Sequence, residues 1–486
     1  MCGIVGVVAN YPINKLLYNA LNGVQHRGQQ AAGMATMDGN LMYLRKGIGL
    51  ISQVIGQEDL NYLVGNAGIG HVRYPTAGSA DDPEQAHPFY VNSPFGIMLA
   101  HNGNLTNTEQ LRNEVLNRNH RHVRTRSDSE VLTNAFAHEL QKLTVDSELS
   151  NDKIFKAIYQ LNNRLAGGYA VVSLIADYGL IGFRDPFGIR PLVLGKKESL
   201  DGFTTYMLAS ESCTLNINGF QLIRDIEPGE AVIITLDGKI FSKSCHDNPS
   251  LNICIFEYAY LARSDSIMEH IPIQSARQAM GKYLAKTILT KFPRLEIDVV
   301  IPVPDITRAV AIATAEGLGK PYQEGFVKNH LIGNDKASHD SEQFQTSVIN
   351  RLSPISLEFK NKNVLLVDTS IVRGNTSREI IKIARNAGAK RVYLASAAPK
   401  ICYSSVYGVD MPVYTQLIGH DKSDEEVAVE IGADAVIYQE LADFKQCLHE
   451  INPKLVNFEA SCFDGNYISG DINEEFLQNL ANGVNH

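Results

Sequence analysis

Short apolar runs broken by turn residues dominate the first half of the chain. CGIVGVVA, GNAGIGHVRY, FGIMLAHNGN, YAVVSLIA, GLIGFRD, TYMLASES and EAVIITLDG each read as β-strands, since aliphatic and β-branched residues run without helical spacing between Gly, Asn and Asp breaks. Two helical patterns interrupt them, near 15–25 and 126–142, and the second opens at Ser127-Asp128-Ser129-Glu130 in the manner of an N-cap. Strands with helices set among them predict a layered α+β domain over residues 2–245. The polar stretch SCHDNPSLN (244–252) reads as a linker.

Beyond it the rhythm becomes strand, helix, strand. IDVVIPVPD (297–305) predicts a buried parallel strand and TRAVAIATAEGLG a helix. KNVLLVDTSIVRGNTSREIIKIARNAGAKRVYLASAAP (362–399) reads as a nearly complete βαβ unit with an amphipathic helix ending at Gly388. A second, α/β domain with a mostly parallel sheet is expected over 253–470, followed by a C-terminal tail, 471–486, as a surface helix or frayed end. Such sheets bind ligands at the carboxyl ends of their strands, which directs attention to the loop after LLVD.

Composition changes this picture little. The 486 residues are 44% hydrophobic and 20% charged, and the formal charge is -9 with no basic run. These values argue against a nucleic-acid partner. No apolar stretch approaches the ~20 residues that span a bilayer, and no secretory signal opens the chain, so no membrane partner and a cytoplasmic location are expected. The seven cysteines, at 2, 213, 245, 254, 402, 447 and 462, are odd in number, scattered and without a CxxC pair. Neither a disulfide framework nor a zinc or iron–sulfur site is expected.

Candidate chemistry begins at the second residue. Once Met1 is removed, the Cys2 thiol lies beside a free α-amine whose ordinary pKa, ~7.7–8.0, lets it act as a general base. From MCG alone, a buried structural cysteine reads as well. Three further segments bear on the choice: QHRGQQAAG with Arg27, GHVRYPTAGSADDPEQAHPF with Arg73 and Thr76, and LAHNGNLTN with Asn102-Gly103. An Asn amide and the next backbone N–H suit an oxyanion hole, although Asn-Gly is also a common hairpin turn. The histidines near these segments, His71, His87 and His101, are read as structural. Together with RSDSE, GFRDPFGIRPLVLG and LASES, the segments resemble the class II glutamine amidotransferases of the N-terminal-nucleophile hydrolase superfamily, from residue 2 to about 235. That resemblance implies an αββα layered sandwich. It implies Cys2 as nucleophile, Asn102 and the Gly103 N–H as oxyanion hole, and Arg27 close to the cysteine. Arg73, Thr76 and Asp128 would bind glutamine, Arg73 at its α-carboxylate and Asp128 at its α-ammonium.

VLLVDTSIVRGNTS has the physics of a ribose-phosphate site, with an acid at a strand end followed by N–H groups and hydroxyls at a helix N-terminus; an ordinary βα loop with an N-cap residue has the same pattern. The loop resembles the PRPP (phosphoribosyl pyrophosphate) motif of type I phosphoribosyltransferases. CIFEYAYLARSDS, GFVKN, LASAAP, YGVDMP and SCFDGNYISGDI extend the match. It implies a PRPP site at Asp368, Thr369, Ser370, Arg373, Gly374, Asn375, Thr376, Ser377 and Lys328. One Mg²⁺ per subunit would be held through Thr307, Asp368 and Thr369, and no iron–sulfur cluster is implied. The two resemblances on one chain imply a transferase that hydrolyses glutamine and passes ammonia internally to PRPP. The products would be phosphoribosylamine, glutamate and pyrophosphate, as in the first step of purine synthesis. Tyr258 and its neighbours in EYAYLAR are candidates for the wall of the ammonia route. Purine nucleotides as feedback inhibitors and a homo-oligomer, dimer or tetramer, are also implied.

Two departures fall on this chemistry. The family's acidic pair is Asp-Asp where this chain has Asp368-Thr369, and the family's basic lid corresponds here to KNHLIGNDKASHDSEQFQTSVINR (328–351). That stretch sets Lys328, Lys336 and Arg351 against Asp335, Asp340 and Glu342. Three readings follow: the coupled enzyme, a diverged glutaminase with altered PRPP chemistry, or a sensor of PRPP or nucleotide.

Overall fold

The computed structural model describes residues 1–74, 82–199, 202–329 and 352–482. The first half builds two antiparallel sheets. In spatial order the first holds Gln221–Asp225, Val193–Glu198, Thr204–Ala209, Gly3–Val8, Ala67–Arg73, Ala31–Asp38 and Leu41–Ile48. The second holds Ile240–Ser244, Glu230–Thr235, Gly179–Arg184, Gly167–Ile175, Ile97–Leu105 and Phe89–Val91.

Side-chain alternation turns these sheets into four layers. Along Gly3–Val8, Val5 and Val7 pack with Leu17 and Leu21 of the helix Asn14–Gly23. Ile4 and Val8 instead meet Met98, Val172 and Leu180 of the other sheet. On the far side, Leu99, Val171 and Phe183 pack beneath Leu132, Phe136 and Ile158 of the helices Asp128–Leu143 and Asn151–Asn162. The result is the expected αββα sandwich, with Cys2 at the edge of a strand buried on both faces.

The second half is built on four parallel strands, in order Val299–Pro302, Asn363–Asp368, Arg391–Ser396 and Ala435–Tyr438. Leu365 and Val367 point into one core with Met280, Leu284 and Val310; Val364 and Leu366 point into another with Ile380, Ile381 and Val427. Helices therefore cover both faces. The helix Glu474–Ala481 of the tail lays Phe476, Leu477 and Leu480 against the first of these cores. Among the described residues no helix is long and apolar enough to cross a membrane.

Several elements had no strong pattern. Ala31–Asp38, AAGMATMD, is rich in small residues, yet it is a full strand between Leu41–Ile48 and Ala67–Arg73. Small side chains let it lie between the layers, so pairing rather than propensity made the strand.

Candidate functional site

Antiparallel pairing sets Gly3 opposite Val72 and Ala31 opposite Arg73, so Cys2 emerges beside the end of the strand that carries Arg73. The Cys2 backbone nitrogen donates to Asn102 Oδ1 at 3.1 Å, and its Sγ lies 3.5 Å from the Tyr74 carbonyl oxygen. Met1 is present and buried, and Cys2 is 6% exposed. Burial pushes the Met1 amine down to about 6.

Asn102 is fully buried, and its Nδ2 has no hydrogen-bond partner among the described residues. A buried donor left unpaired is costly and marks a place where a ligand atom can be received. Gly103 follows at φ +142°, where a Cβ would stand 2.0 Å from the Gly168 carbonyl oxygen. Only glycine fits this turn of the chain.

Asp128 opens the helix Asp128–Leu143, where the helix dipole favours a carboxylate, and Ser127 caps it through the Ser129 N–H. The Asp128 carboxylate accepts from the Leu105 N–H at 3.2 Å and from Ser129 Oγ at 3.1 Å. Ser129 Oγ also lies 2.7 Å from His101 Nδ1. Arg73 is buried and donates to Gln85 Oε1 at 3.3 Å. His71, His87 and His101 form a buried stack, with centroids 4.0 and 6.1 Å apart, and burial holds all three pKa values below the ordinary range. Thr76 lies outside the described residues.

Arg27 approaches Cys2 from behind, donating from Nε to its carbonyl oxygen at 3.0 Å. The same guanidinium reaches Glu211 at 2.5 Å and, from the second half, Glu257 at 2.8 and 3.0 Å. Burial opposes its charge, but the Glu257 and Glu211 carboxylates overcome that and hold its pKa above the ordinary value. Burial likewise opposes the charge on Glu211, and Arg27 and His26 hold that carboxyl well below its usual range. Fully buried Arg190 sits 3.6 Å from Glu257. Sequence reasoning quoted the segments that carry Glu211, Glu257 and Arg190 without giving these residues a role. A charged residue inside an apolar context was their only signal, and its partner is more than 180 positions away for Arg27 and Glu211.

In the second half, the loop after Asn363–Asp368 runs into the N-terminus of the helix Asn375–Asn386. Arg373, Asn375 and Thr376 are exposed there, Ser370 is half-buried, and Thr369 and Ser377 are buried. Gly374 holds φ +78°, and a Cβ on it would meet Ile418 at 2.4 Å. Burial pushes the Asp368 carboxyl up to about 6, against the opposing effect of the Thr369 N–H, which donates to it at 2.7 Å. Lys328 pairs with Asp305 at 2.8 Å, and the Thr307 hydroxyl donates to the Val303 carbonyl. Val299–Pro302 and Asn363–Asp368 are neighbouring parallel strands, so Thr307 and Asp368 follow adjacent strand ends. Residues 330–351, most of the stretch read as a lid, lie outside the described residues.

One turn joins the two centres. Glu257–Leu261 is a π-helical turn whose Glu257 grips Arg27. Its Tyr260 is partly exposed, and its phenol is pushed up by desolvation and then by the Asp368 charge at the end of Asn363–Asp368. Tyr258 between them is fully buried and donates to the Met268 carbonyl at 3.3 Å.

A four-layer antiparallel sandwich with a cysteine at position 2, joined to a doubly wound parallel sheet with a loop at a helix N-terminus, has the architecture of an N-terminal-nucleophile glutamine amidotransferase carried on the same chain as a phosphoribosyltransferase. A family model for the glutamine amidotransferase domain matches residues 76–216. The chain is 50% identical to the amidophosphoribosyltransferase of Pseudomonas aeruginosa, covering 100% of this chain and 96% of the relative. It is 49% identical to that of Escherichia coli over 99% of this chain and 96% of the relative. Its fold is similar to the glutamine PRPP amidotransferase from B. subtilis complexed with ADP and GMP, with a TM-score of 0.83 and 33% identity over 96% of this chain and 97% of that one. A second structure, described as the allosteric regulatory enzyme of purine biosynthesis, has a TM-score of 0.85 and 32% identity, covering 99% of each chain. The chain belongs to the amidophosphoribosyltransferase family, and is thus a glutamine-dependent phosphoribosyltransferase. Nothing in these likenesses favours the diverged glutaminase or the sensor.

Proposed function

We propose that the chain hydrolyses glutamine at Cys2 and delivers the ammonia to PRPP, yielding phosphoribosylamine, glutamate and pyrophosphate. The observation that carries this reading is Asn102, which orients the Cys2 nitrogen through Oδ1 while its buried Nδ2 has no partner among the described residues.

With Met1 removed, the Cys2 nitrogen is an amine that still donates to Asn102 Oδ1 and has a lone pair for the thiol proton. The sulfur attacks the glutamine side-chain carbonyl. Asn102 Nδ2–H and the Gly103 N–H receive the oxyanion, and the amine hands the proton to the departing ammonia. Water then cleaves the glutamyl thioester. Arg73 suits the substrate carboxylate and Asp128 its ammonium. The ammonia would pass along the Glu257–Leu261 turn, lined by Tyr258, to attack the anomeric carbon as pyrophosphate leaves. Arg373 to Ser377 would hold the 5′-phosphate at the helix N-terminus, with Thr369 and Ser370 against the ribose and Lys328 against pyrophosphate.

The donors fit a magnesium ion, which needs only one or two carboxylates besides substrate phosphates. Asp368 with the Thr369 and Thr307 hydroxyl oxygens would hold Mg²⁺, which would neutralise charge developing on pyrophosphate. The B. subtilis relative was solved with ADP and GMP, which supports purine nucleotides as feedback inhibitors of this chain as well.

The test is to measure glutamine hydrolysis with and without PRPP and Mg²⁺ while trapping phosphoribosylamine. Coupled turnover is expected. Hydrolysis indifferent to PRPP, or neither activity, overturns the proposal.

A further inference from the structure

The oxyanion glycine is held in place by the other half of the chain. Gly408, at φ +89°, packs backbone to backbone on Gly103: a Cβ at 408 would stand 2.7, 2.8 and 2.9 Å from the Gly103 carbonyl carbon, carbonyl oxygen and Cα. Two residues earlier the Val406 carbonyl accepts from Asn104 Nδ2 at 2.9 Å. Beyond it, Thr106 Oγ1 donates to Asp471 at 2.5 Å. The strand end that carries Asn102 and Gly103 is therefore gripped at alternate residues, 104 and 106, by residues from after position 400. The gripping segment is itself anchored. The Tyr414 N–H donates to Ser404 Oγ at 2.8 Å, and Gln416 accepts from Arg373 at 2.9 Å. The Ile418 N–H donates to the Val372 carbonyl at 2.9 Å.

We propose that Gly408 is a positioning residue for glutamine hydrolysis: its bare Cα is the surface that seats the Gly103 Cα and carbonyl, and through them aims the N–H of the same residue, so that the first half completes its oxyanion hole only when docked on the 404–410 segment. The inference rests on the assignment of Asn102 and Gly103 as the oxyanion hole. Its physical basis is the tolerance of such holes, whose donors must stay within about 0.5 Å of a position ~2.7–3.1 Å from the developing charge. A methyl group at 408 cannot be accommodated by rotamer change, because all its nearest neighbours are backbone atoms. Either the Gly103 backbone or the 408 turn must shift, and both movements open the contact.

The experiment compares wild type, Gly408→Ala, Asn104→Ala and Asn102→Ala as full-length protein, with saturating PRPP and Mg²⁺, using either glutamine or free ammonia as nitrogen source. Gly408→Ala is expected to lower kcat with glutamine by about tenfold or more while changing KM for glutamine less than about threefold, the pattern of a lost transition-state contact. Ammonia-dependent synthesis should stay within about twofold of wild type, because that chemistry does not use the hole. Asn104→Ala should shift the same ratio in the same direction by a smaller factor. The proposal is overturned if glutamine kcat is unchanged, if only KM rises, or if both nitrogen sources decline together, which is the signature of a segment that has simply lost its fold. Asn102→Ala separates this idea from the reading beneath it. If that variant retains full glutamine kcat, the oxyanion assignment falls and this inference with it. If Asn102→Ala collapses and Gly408→Ala does not, the inference alone fails.

Discussion

Arg27 and Glu257 form a two-pronged ion pair, at 2.8 and 3.0 Å, with neither side chain touching solvent, and they come from opposite halves of the chain. The first half reaches its own Cys2 carbonyl through the same guanidinium. Docking of the second half is thus wired to Cys2 by charge as well as by packing.

Removing one partner of a buried pair leaves the other uncompensated. Arg27→Met takes from Glu211 and Glu257 the guanidinium they share, leaving His26 and the more distant Arg190 as their charged neighbours, and should lower stability by about 3–5 kcal/mol. Because Arg27 holds the Glu211 carboxyl below its ordinary range, the stability it contributes is present above the unfolded carboxylate value, ~4.3, and is lost as pH falls further. Denaturant unfolding should show the gap between wild type and variant shrinking once the pH drops below about 4. A gap independent of acid would mean the charges are not its source.

Glutamine hydrolysis should need a deprotonated terminal amine. Burial lowers the Met1 amine to about 6, and an amine freed on Cys2, 6% exposed, is expected to be lowered in the same direction, so activity should rise with pH along a limb centred below the ordinary ~7.7–8.0. A pH profile of kcat/KM for glutamine checks this; a midpoint above that range excludes the amine as base. Intact-mass analysis of active protein should find Met1 missing.

Cys2→Ala should abolish glutamine-dependent synthesis and leave synthesis from free ammonia within about twofold, since thiol and phosphate loop belong to separate centres. Steady-state rates with the two nitrogen sources decide it, and loss of both would show the centres are not separable.

Thr369→Asp should raise PRPP turnover at saturating Mg²⁺, because a second carboxylate beside Asp368 strengthens a hard-ion site. The same variant should be less stable than wild type without Mg²⁺. Burial already pushes Asp368 up to about 6, and a like charge next to it pushes further. Thermal melts with and without Mg²⁺, alongside turnover, test both halves of the statement. An unchanged rate would show that threonine meets the need of this centre.

Much of this protein was legible in one dimension. Seven apolar runs marked strands, the βαβ texture of 362–399 marked the parallel sheet, and Cys2, Asn102 and Asp368 announced themselves through position and neighbours. Local patterns report what a segment can bury and which turns it can make, and the family's motifs are contiguous enough to survive in that record. Only the tertiary structure decided that the strand Ala31–Asp38 exists, that Glu211 and Glu257 answer Arg27, and that Gly408 lies on Gly103. Each is a contact between residues far apart in the chain, or a choice forced by pairing. A charge carries no mark of its partner, and a glycine does not say whether it is bare for a turn or for the backbone pressed against it.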